Sequence, residues 1–278
     1  MPSHDDLRAL AAALGATFIR RRDLYAKQTA DGAYLAVRRP LRPGLLERHL
    51  QGRLTLGAYV LDADSQARYL VLDADDEPDW RRLRALARVV EEMGCPSYLE
   101  ASRRGGHLWL FFDRPRPGAE VRTFGQGILA HFGIDDVELF PKQDRLTTGP
   151  GSLIRLPFGV HQKSGKRYSF YMPRGEPLAA TLRAQIRLLQ APETVPERAF
   201  AEFASVGAVV APQRRETAVR RPWRAIADVG GDAPLSERLK AAVSVKQFVL
   251  RYVELSPSGK GLCPFHDDHN PSFLVRDE

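Results

Sequence analysis

Cysteine is nearly absent: Cys95 and Cys263 are the two in 278 residues. Such usage excludes a disulfide-stapled scaffold, and a bond between these two is not expected. It fits a reducing, cytoplasmic setting. Long apolar runs are missing too, although 44% of the residues are hydrophobic, so no membrane partner is expected. Met1-Pro2-Ser3-His4-Asp5-Asp6 carries no secretory pattern. No repeat of domain scale is present. Acidic residues are in the minority, 34 against 41 Lys and Arg, for a net charge of +7. That balance suits an acidic partner such as nucleic acid. Arginine-rich composition also follows from GC-rich coding, so charge by itself selects no partner.

What is present is a pair of carboxylates, Asp73 and Asp75, at the end of the apolar run Tyr69-Leu70-Val71-Leu72. On a strand, residues two apart project to one face. Like charges so placed raise each other's pKa unless a cation lies between them. Hard oxygen ligands suit Mg²⁺ or Mn²⁺. The plainer reading is a strand end fraying into an acidic turn, because Asp76 and Glu77 follow. Val60-Leu61-Asp62-Ala63-Asp64 repeats the pattern and is a rival pair.

Downstream, Trp80, Leu83, Leu86, Ala87 and Val90 recur at helical spacing after Pro78-Asp79, and Gly94 closes the segment. Cys95 to Glu100 reads as a short strand, and His107 to Phe112 as another. Between them Ser102-Arg103-Arg104-Gly105-Gly106 forms a basic turn. Consecutive glycines let backbone N–H groups approach a phosphate, with His107 at the mouth of the turn. A lone strand histidine is also an ordinary structural residue. Glu138 sits in a short strand within Asp135 to Gln143, where a charge between apolar neighbours also fits a solvent-facing position. A strand carrying Arg155 then leads to a basic turn with His161, Lys163, Lys166 and Arg167.

Leu7 to Leu14 reads as a helix, Tyr34 to Val37 as a strand, Leu45 to Leu50 and Thr181 to Gln190 as helices. The pattern predicts an α+β fold with a mixed or antiparallel sheet over residues 5–190. Residues 191–234 are rich in Pro and Arg and read as a linker with local helix near Glu197 to Ala204. Residues 235–278 read as a helix followed by an incomplete zinc-finger segment.

Asp73-x-Asp75, then Ser102-x-x-x-Gly106-His107 on a strand, then acidic Glu138 resembles the three-motif signature of the archaeo-eukaryotic primase superfamily. The likeness is greatest to primase-polymerases of transposon-derived conflict systems and CRISPR-associated loci. It rests further on His49-Leu50-x-Gly52, Thr55-Leu56-Gly57-x-Tyr59, Val137 to Gln143 and Ile154-Arg155-Leu156-Pro157. Many relatives carry Asp where Glu138 stands. The resemblance implies an RRM-like catalytic half with an N-terminal α/β half. It also implies a template-directed nucleotidyltransferase, a DNA primase or polymerase or both. Asp73, Asp75 and Glu138 would be catalytic and hold two Mg²⁺ or Mn²⁺ ions. Ser102, Gly105, Gly106, His107, Arg155, Lys163 and Lys166 would bind an NTP or dNTP. Arg103, Arg104, Lys142, Arg220, Arg221 and Trp223 would contact a single-stranded DNA template and primer. Proteins of CRISPR or conflict systems would be further partners.

Cys263-Pro264-Phe265-His266, leading into Pro271-Ser272-Phe273, resembles the start of the CHC2-type zinc-binding domain of bacterial primases. Cys263 and His266 supply two ligands where a structural site needs four. Zinc is therefore expected only where a longer protein completes the finger. Two other functional classes fit the same residues: a metal-dependent nuclease or phosphatase, and a catalytically silent nucleic-acid-binding module.

Overall fold

Alternation of apolar residues to both faces, not one, marks the central strand of this protein. Tyr69, Leu70, Val71 and Leu72 are each fully buried, as a strand packed on two sides requires. The computed structural model describes residues 4–134, 137–147 and 149–210, and further on 249–250, 253, 255–256, 259–262 and 273–275. By Cα packing the chain divides into Met1–Ala211 and Pro212–Glu278.

The first unit holds two antiparallel sheets. One has the order β2-β1-β3-β8, from Tyr25–Gln28 (β1), Tyr34–Val37 (β2), Leu56–Tyr59 (β3) and Leu153–Arg155 (β8). The other has the order β7-β4-β6-β5-β9, from Gln66–Ala74 (β4), Tyr98–Ala101 (β5), Gly106–Pro117 (β6), Glu138–Phe140 (β7) and Phe170–Tyr171 (β9). Six helices accompany them: His4–Phe18 (α1), Pro43–Leu50 (α2), Glu77–Glu92 (α3), Gly118–His131 (α4), Leu182–Leu188 (α5) and Glu197–Val210 (α6). The α+β class and antiparallel pairing agree with the sequence reading.

Two helices, α3 and α5, start at side-chain caps. Asp76 is the N-cap of α3, its carboxylate accepting from the Asp79 N–H at 3.0 Å, a cap worth about 1 kcal/mol. Its apolar stripe, Leu83, Leu86, Ala87 and Val90, is buried against β4, β5 and β6. Thr181 caps α5 in the same way through the Ala184 N–H. On the opposite face of the five-stranded sheet, Phe18 at the end of α1 meets Trp109 edge-on at 5.3 Å and lies near Tyr69 and Phe170.

The compact unit continues past residue 190, where a linker was expected. Val195 donates to the Phe111 carbonyl at 2.8 Å, and Phe200 and Phe203 are buried in the same core. Arg116, itself buried, anchors the start of α6 by pairing with Glu197 at 2.5 Å and lying 3.9 Å from the centre of the Phe200 ring. Gly127 of α4 and Gly207 of α6 face each other's helix so closely that a Cβ at either would strike the partner backbone. That close crossing makes α6 part of the core. In the second unit, Lys260–Gly261 (β10) pairs antiparallel with Phe273–Leu274 (β11). The rest of the expected linker, most of the helix expected from residue 235, and Cys263 and His266 lie outside the described residues.

Candidate catalytic cleft

Antiparallel register places a row of polar side chains across the five-stranded sheet. Glu138 of β7 pairs with Asp73 of β4, Asp73 with His107 of β6, and His107 with Glu100 of β5. Residues directly opposite across a ladder share a face, so the row lies on one side. Further along that face come Trp109, Phe111, Tyr69 and Phe170, making the inner end dry and aromatic. The polar row marks where the sheet opens.

Glu100 is the centre of this arrangement and is fully buried. His107 Nδ1 lies 2.8 Å from one carboxylate oxygen, to which Trp109 Nε1 also donates at 3.2 Å. Arg155 Nη2 reaches the other oxygen at 2.7 Å from β8, on the second sheet. Burial pushes the Glu100 carboxyl up, but Arg155 and His107 outweigh it and hold it below the usual carboxylate range. An ionised carboxylate only accepts, so Nδ1–H donates to Glu100 and Nε2 is turned toward Asp73, 3.4 Å away. Arg155 Nη1 is buried without a hydrogen-bond partner. Tyr168 flanks the guanidinium, its ring centre 5.2 Å away.

Between the two sheets lies a cleft of about 260 Å³. Asp73, Asp75, Ser102, Arg103, Arg104, His107 and Phe140 line it from the five-stranded side. Gln28, Gly32, Tyr34, Leu153, Ile154, Arg155 and His161 line it from the other. Burial raises the Asp73 carboxyl; His107 opposes the rise, and Asp75 and Glu138 add to it. Burial, then the positive field of Arg155, Arg103 and Lys163, holds the His161 imidazole below its ordinary value. The cleft therefore has an acidic pole and a basic pole.

The expected residues divide accordingly. Asp73, Asp75, Ser102, Arg103, Arg104, His107 and Arg155 come together around the cleft. Asp75 lies just past the end of β4, exposed, with Arg104 at 3.4 Å. Glu138 does not line the cleft wall but adjoins Asp73 and pairs with Lys142 at 2.9 Å. Lys142 thus stands beside the acidic row, its ammonium 4.9 Å from the centre of the Phe140 ring. Lys163 stands beside Gly32 at the rim, and neither it nor Lys166 lines the cleft. Arg220, Arg221 and Trp223 lie outside the described residues. The rival pair is a turn: Asp62 accepts from the Asp64 and Gln66 N–H groups at 3.0 and 2.8 Å.

Gly105 and Gly106 are required by packing. A Cβ on Gly105 would collide with the Ala74 carbonyl, and one on Gly106 would come within 2.6 Å of the Trp80 ring. The Gly105 N–H is directed to Ser102 Oγ at 3.3 Å. The glycines let the turn pack against the end of β4, which brings Arg103 and Arg104 to the cleft. Glu100 was read only as part of a strand, and Tyr34 likewise. The signal for Glu100 was its parity with Tyr98, an inward position, but its partners on β6 and β8 come from other parts of the chain.

Three hard carboxylate donors at one end of the sheet, with Asp73 disfavoured as an anion by burial and by its carboxylate neighbours, are chemically suited to a divalent cation. Among the described residues no three His, Cys, Asp or Glu already converge as a cage. Arg104 and Lys142 partner the outer two carboxylates. Among the described residues no helix is long and apolar enough to cross a membrane.

A family model described as the archaeo-eukaryotic primase domain of TOTE conflict systems matches residues 17–203. A CHC2 zinc-finger model matches residues 232–278. No curated protein matches the chain. Among solved structures, it is similar to the AEP domain of the cyanophage S-2L primase-polymerase, at 14% identity and a TM-score of 0.40, covering 68% of this chain and 98% of that one. It is similar to the catalytic domain of primase RepB′ in complex with initiator DNA, at 13% and 0.41, covering 76% and 98%. The polymerase domain of Mycobacterium tuberculosis Ligase D in complex with DNA follows at 11% and 0.33, covering 75% and 87%. These are distant likenesses and carry no functional argument.

Proposed function

Because this chain belongs to the archaeo-eukaryotic primase domain family of TOTE conflict systems, we propose that it is a template-directed nucleotidyltransferase, a primase-polymerase acting on single-stranded DNA. The observation that carries the reading is the cross-strand row Glu138, Asp73, His107 and Glu100, facing Arg155 across a cleft with opposite poles.

Asp73, Asp75 and Glu138 would hold divalent ions, magnesium or manganese, which supply charge neutralisation and activate an attacking hydroxyl when bound. Glu100 fixes His107 and Arg155 together, so both present a defined edge to an entering triphosphate. Arg155 Nη1, buried and unpartnered, is a donor for a phosphate oxygen; a hydrogen bond of this charged kind is worth about 1.5–3 kcal/mol. Arg103 and His161 add donors beside it, and Ser102 holds the turn that carries Arg103. The aromatic inner wall keeps water from the buried side of the row. Preorganised donors of this kind stabilise charge as it moves to a leaving pyrophosphate. Ribonucleoside and deoxyribonucleoside triphosphates share the features recognised here. Zinc would be bound only through a completed CHC2 segment.

The test is primer extension and de novo priming on single-stranded DNA, with each nucleotide set, comparing Mg²⁺ with Mn²⁺. Incorporation that depends on template and on nucleotide supports the reading. Degradation of primed template without added nucleotide would replace it with a hydrolase, and binding without either reaction would leave a silent module.

A further inference from the structure

A second cleft, of about 340 Å³, is walled by Arg21, Asp23, Leu24, Ala36, Arg38, Gly149 and Pro150. Asp23 holds Arg21 by paired contacts of 2.9 and 2.5 Å, which fixes the guanidinium plane. Arg38 is exposed and has no side-chain partner among the described residues. The Tyr59 hydroxyl, within electrostatic reach of both arginines, is buried without a hydrogen-bond partner. Two arginine-rich segments meet here because the Leu41 N–H donates to the Arg22 carbonyl at 2.8 Å. Exposed Arg22, Arg39 and Arg42 widen the positive surface, against which Asp23 and Asp62 are the acids that act on Arg21.

Position gives this surface its meaning. Tyr34, Ala36 and Arg38 are two residues apart along β2 and its extension, so they share a face. Tyr34 lines the first cleft, while Ala36 and Arg38 line the second. On neighbouring β1, Gln28 pairs with Tyr34 and lines the first cleft; Leu24, just before the strand, lines the second. The clefts therefore follow one another along one face of one sheet. Four residues of extended chain separate them by about 13 Å, about four nucleotides at ~3.4 Å each in a stacked strand.

We propose that the second cleft holds the phosphate backbone of the single-stranded nucleic acid engaged in the catalytic cleft, the strand running along β2 from Tyr34 toward Arg38. Guanidinium forks match phosphate geometry: Arg38 offers its own, beside an Arg21 that Asp23 holds in place. This rests on the polymerase reading only for the location of the reacting end. The contact is to the backbone, so it is indifferent to sequence.

The experiment measures binding of fluorescent oligodeoxynucleotides to the whole protein, without nucleotide or metal, over a salt series. Arg21→Ala/Arg38→Ala should weaken binding at least tenfold at ~0.1 M salt and make the log–log salt slope shallower by about 1.4, at about 0.7 per lost phosphate contact. Arg38→Ala alone, at an exposed position, should give about half that change in slope. Wild-type affinity should step up as the strand lengthens past about four nucleotides, and the double variant should lose the step. Unchanged affinity and slope in both variants would overturn the proposal. So would equal competition by polyglutamate, which would make the cleft a general anion surface. A wild-type protein that binds with the step but adds no nucleotide would defeat the polymerase reading and leave this one standing.

Discussion

Acidification from pH 7 to pH 4 should remove about 3 kcal/mol of stability through one residue, His49. Its imidazole is fully buried between α2, β3 and the segment after β8. Nδ1 accepts from the Leu56 N–H at 3.1 Å, and Nε2 donates to the Pro157 carbonyl at 2.9 Å. Gly159 packs against the ring and leaves no room beside it. Protonation would turn Nδ1 into a donor facing another donor. Burial, assisted by Arg155 and Arg167, accordingly lowers the pKa from 6.5 to about 4. At about 1.4 kcal/mol per unit, that difference is worth about 3 kcal/mol.

The sign follows from proton counting. Above pH 6.5 the ring is neutral in folded and unfolded chains, and the stability is present in full. Between 6.5 and about 4 the unfolded chain takes up the proton and the folded chain does not, so stability falls as pH falls. Below about 4 both are protonated and the loss is complete. Urea unfolding at pH 7 and pH 4 measures it, with His49→Gln as the control. The variant, which cannot titrate there, should be less stable at pH 7 but lose about 3 kcal/mol less on acidification. Equal losses in the two proteins would refute the reasoning.

Asp73→Asn should abolish nucleotide incorporation while the thermal midpoint holds or rises, because it removes a carboxylate that burial and like charges disfavour; incorporation at the wild-type rate would remove Asp73 from the site. Glu100→Gln breaks the tie between Arg155 and His107 and should cost about 3 kcal/mol or more. It should also weaken nucleotide affinity by over tenfold in a direct titration, and unchanged values of both would mean that the carboxylate organises nothing. Gly105→Ala forces the turn away from the Ala74 carbonyl and should cost about 1–3 kcal/mol. Incorporation should slow with it, and wild-type stability with normal kinetics would show that the turn has room to spare.

Elements governed by local rules were legible in the sequence. The stripe of Leu83, Leu86, Ala87 and Val90 gave α3, and Tyr34 to Val37 gave β2 with matching bounds. Asp76, which the plainer alternative placed in an acidic turn, is the cap of that helix. Helix α4 escaped because Gly118, Gly125 and Gly127 lower its propensity. At Gly125 and Gly127 the small residue serves contacts with other elements, namely Leu70 and Leu139 in the sheet and Phe203 of α6. The same cause shortened α6: local helix was expected near Glu197 to Ala204, but the helix runs Glu197–Val210 and joins the core because Gly207 crosses α4 closely. In the site, Asp73 and His107 were readable because motif spacing and strand parity agree. Glu100 was not, because a carboxylate in a short strand reads as solvent-facing until Arg155 is known to approach from a different sheet.

That approach explains how one cleft can need carboxylates of opposite character. Glu100 has no exposure, and its charge is held by Arg155 and His107. Asp75 and Glu138 remain substantially exposed, each with a surface cation that water already screens. Removing an exposed ion partner costs little, whereas removing a buried one costs several kcal/mol. The outer carboxylates can therefore exchange Arg104 and Lys142 for a bound ion at small expense. The inner one cannot exchange its partners without opening the seam between the sheets. Arg155 lies between β7 and β9 in the chain yet pairs in the other sheet with β3, so the cationic wall is in place only when both sheets are packed. If nucleotide binds as proposed, drawing on that wall, it should favour the packed state and raise the unfolding midpoint as the nucleotide concentration rises; a midpoint that does not move would detach the nucleotide from Arg155.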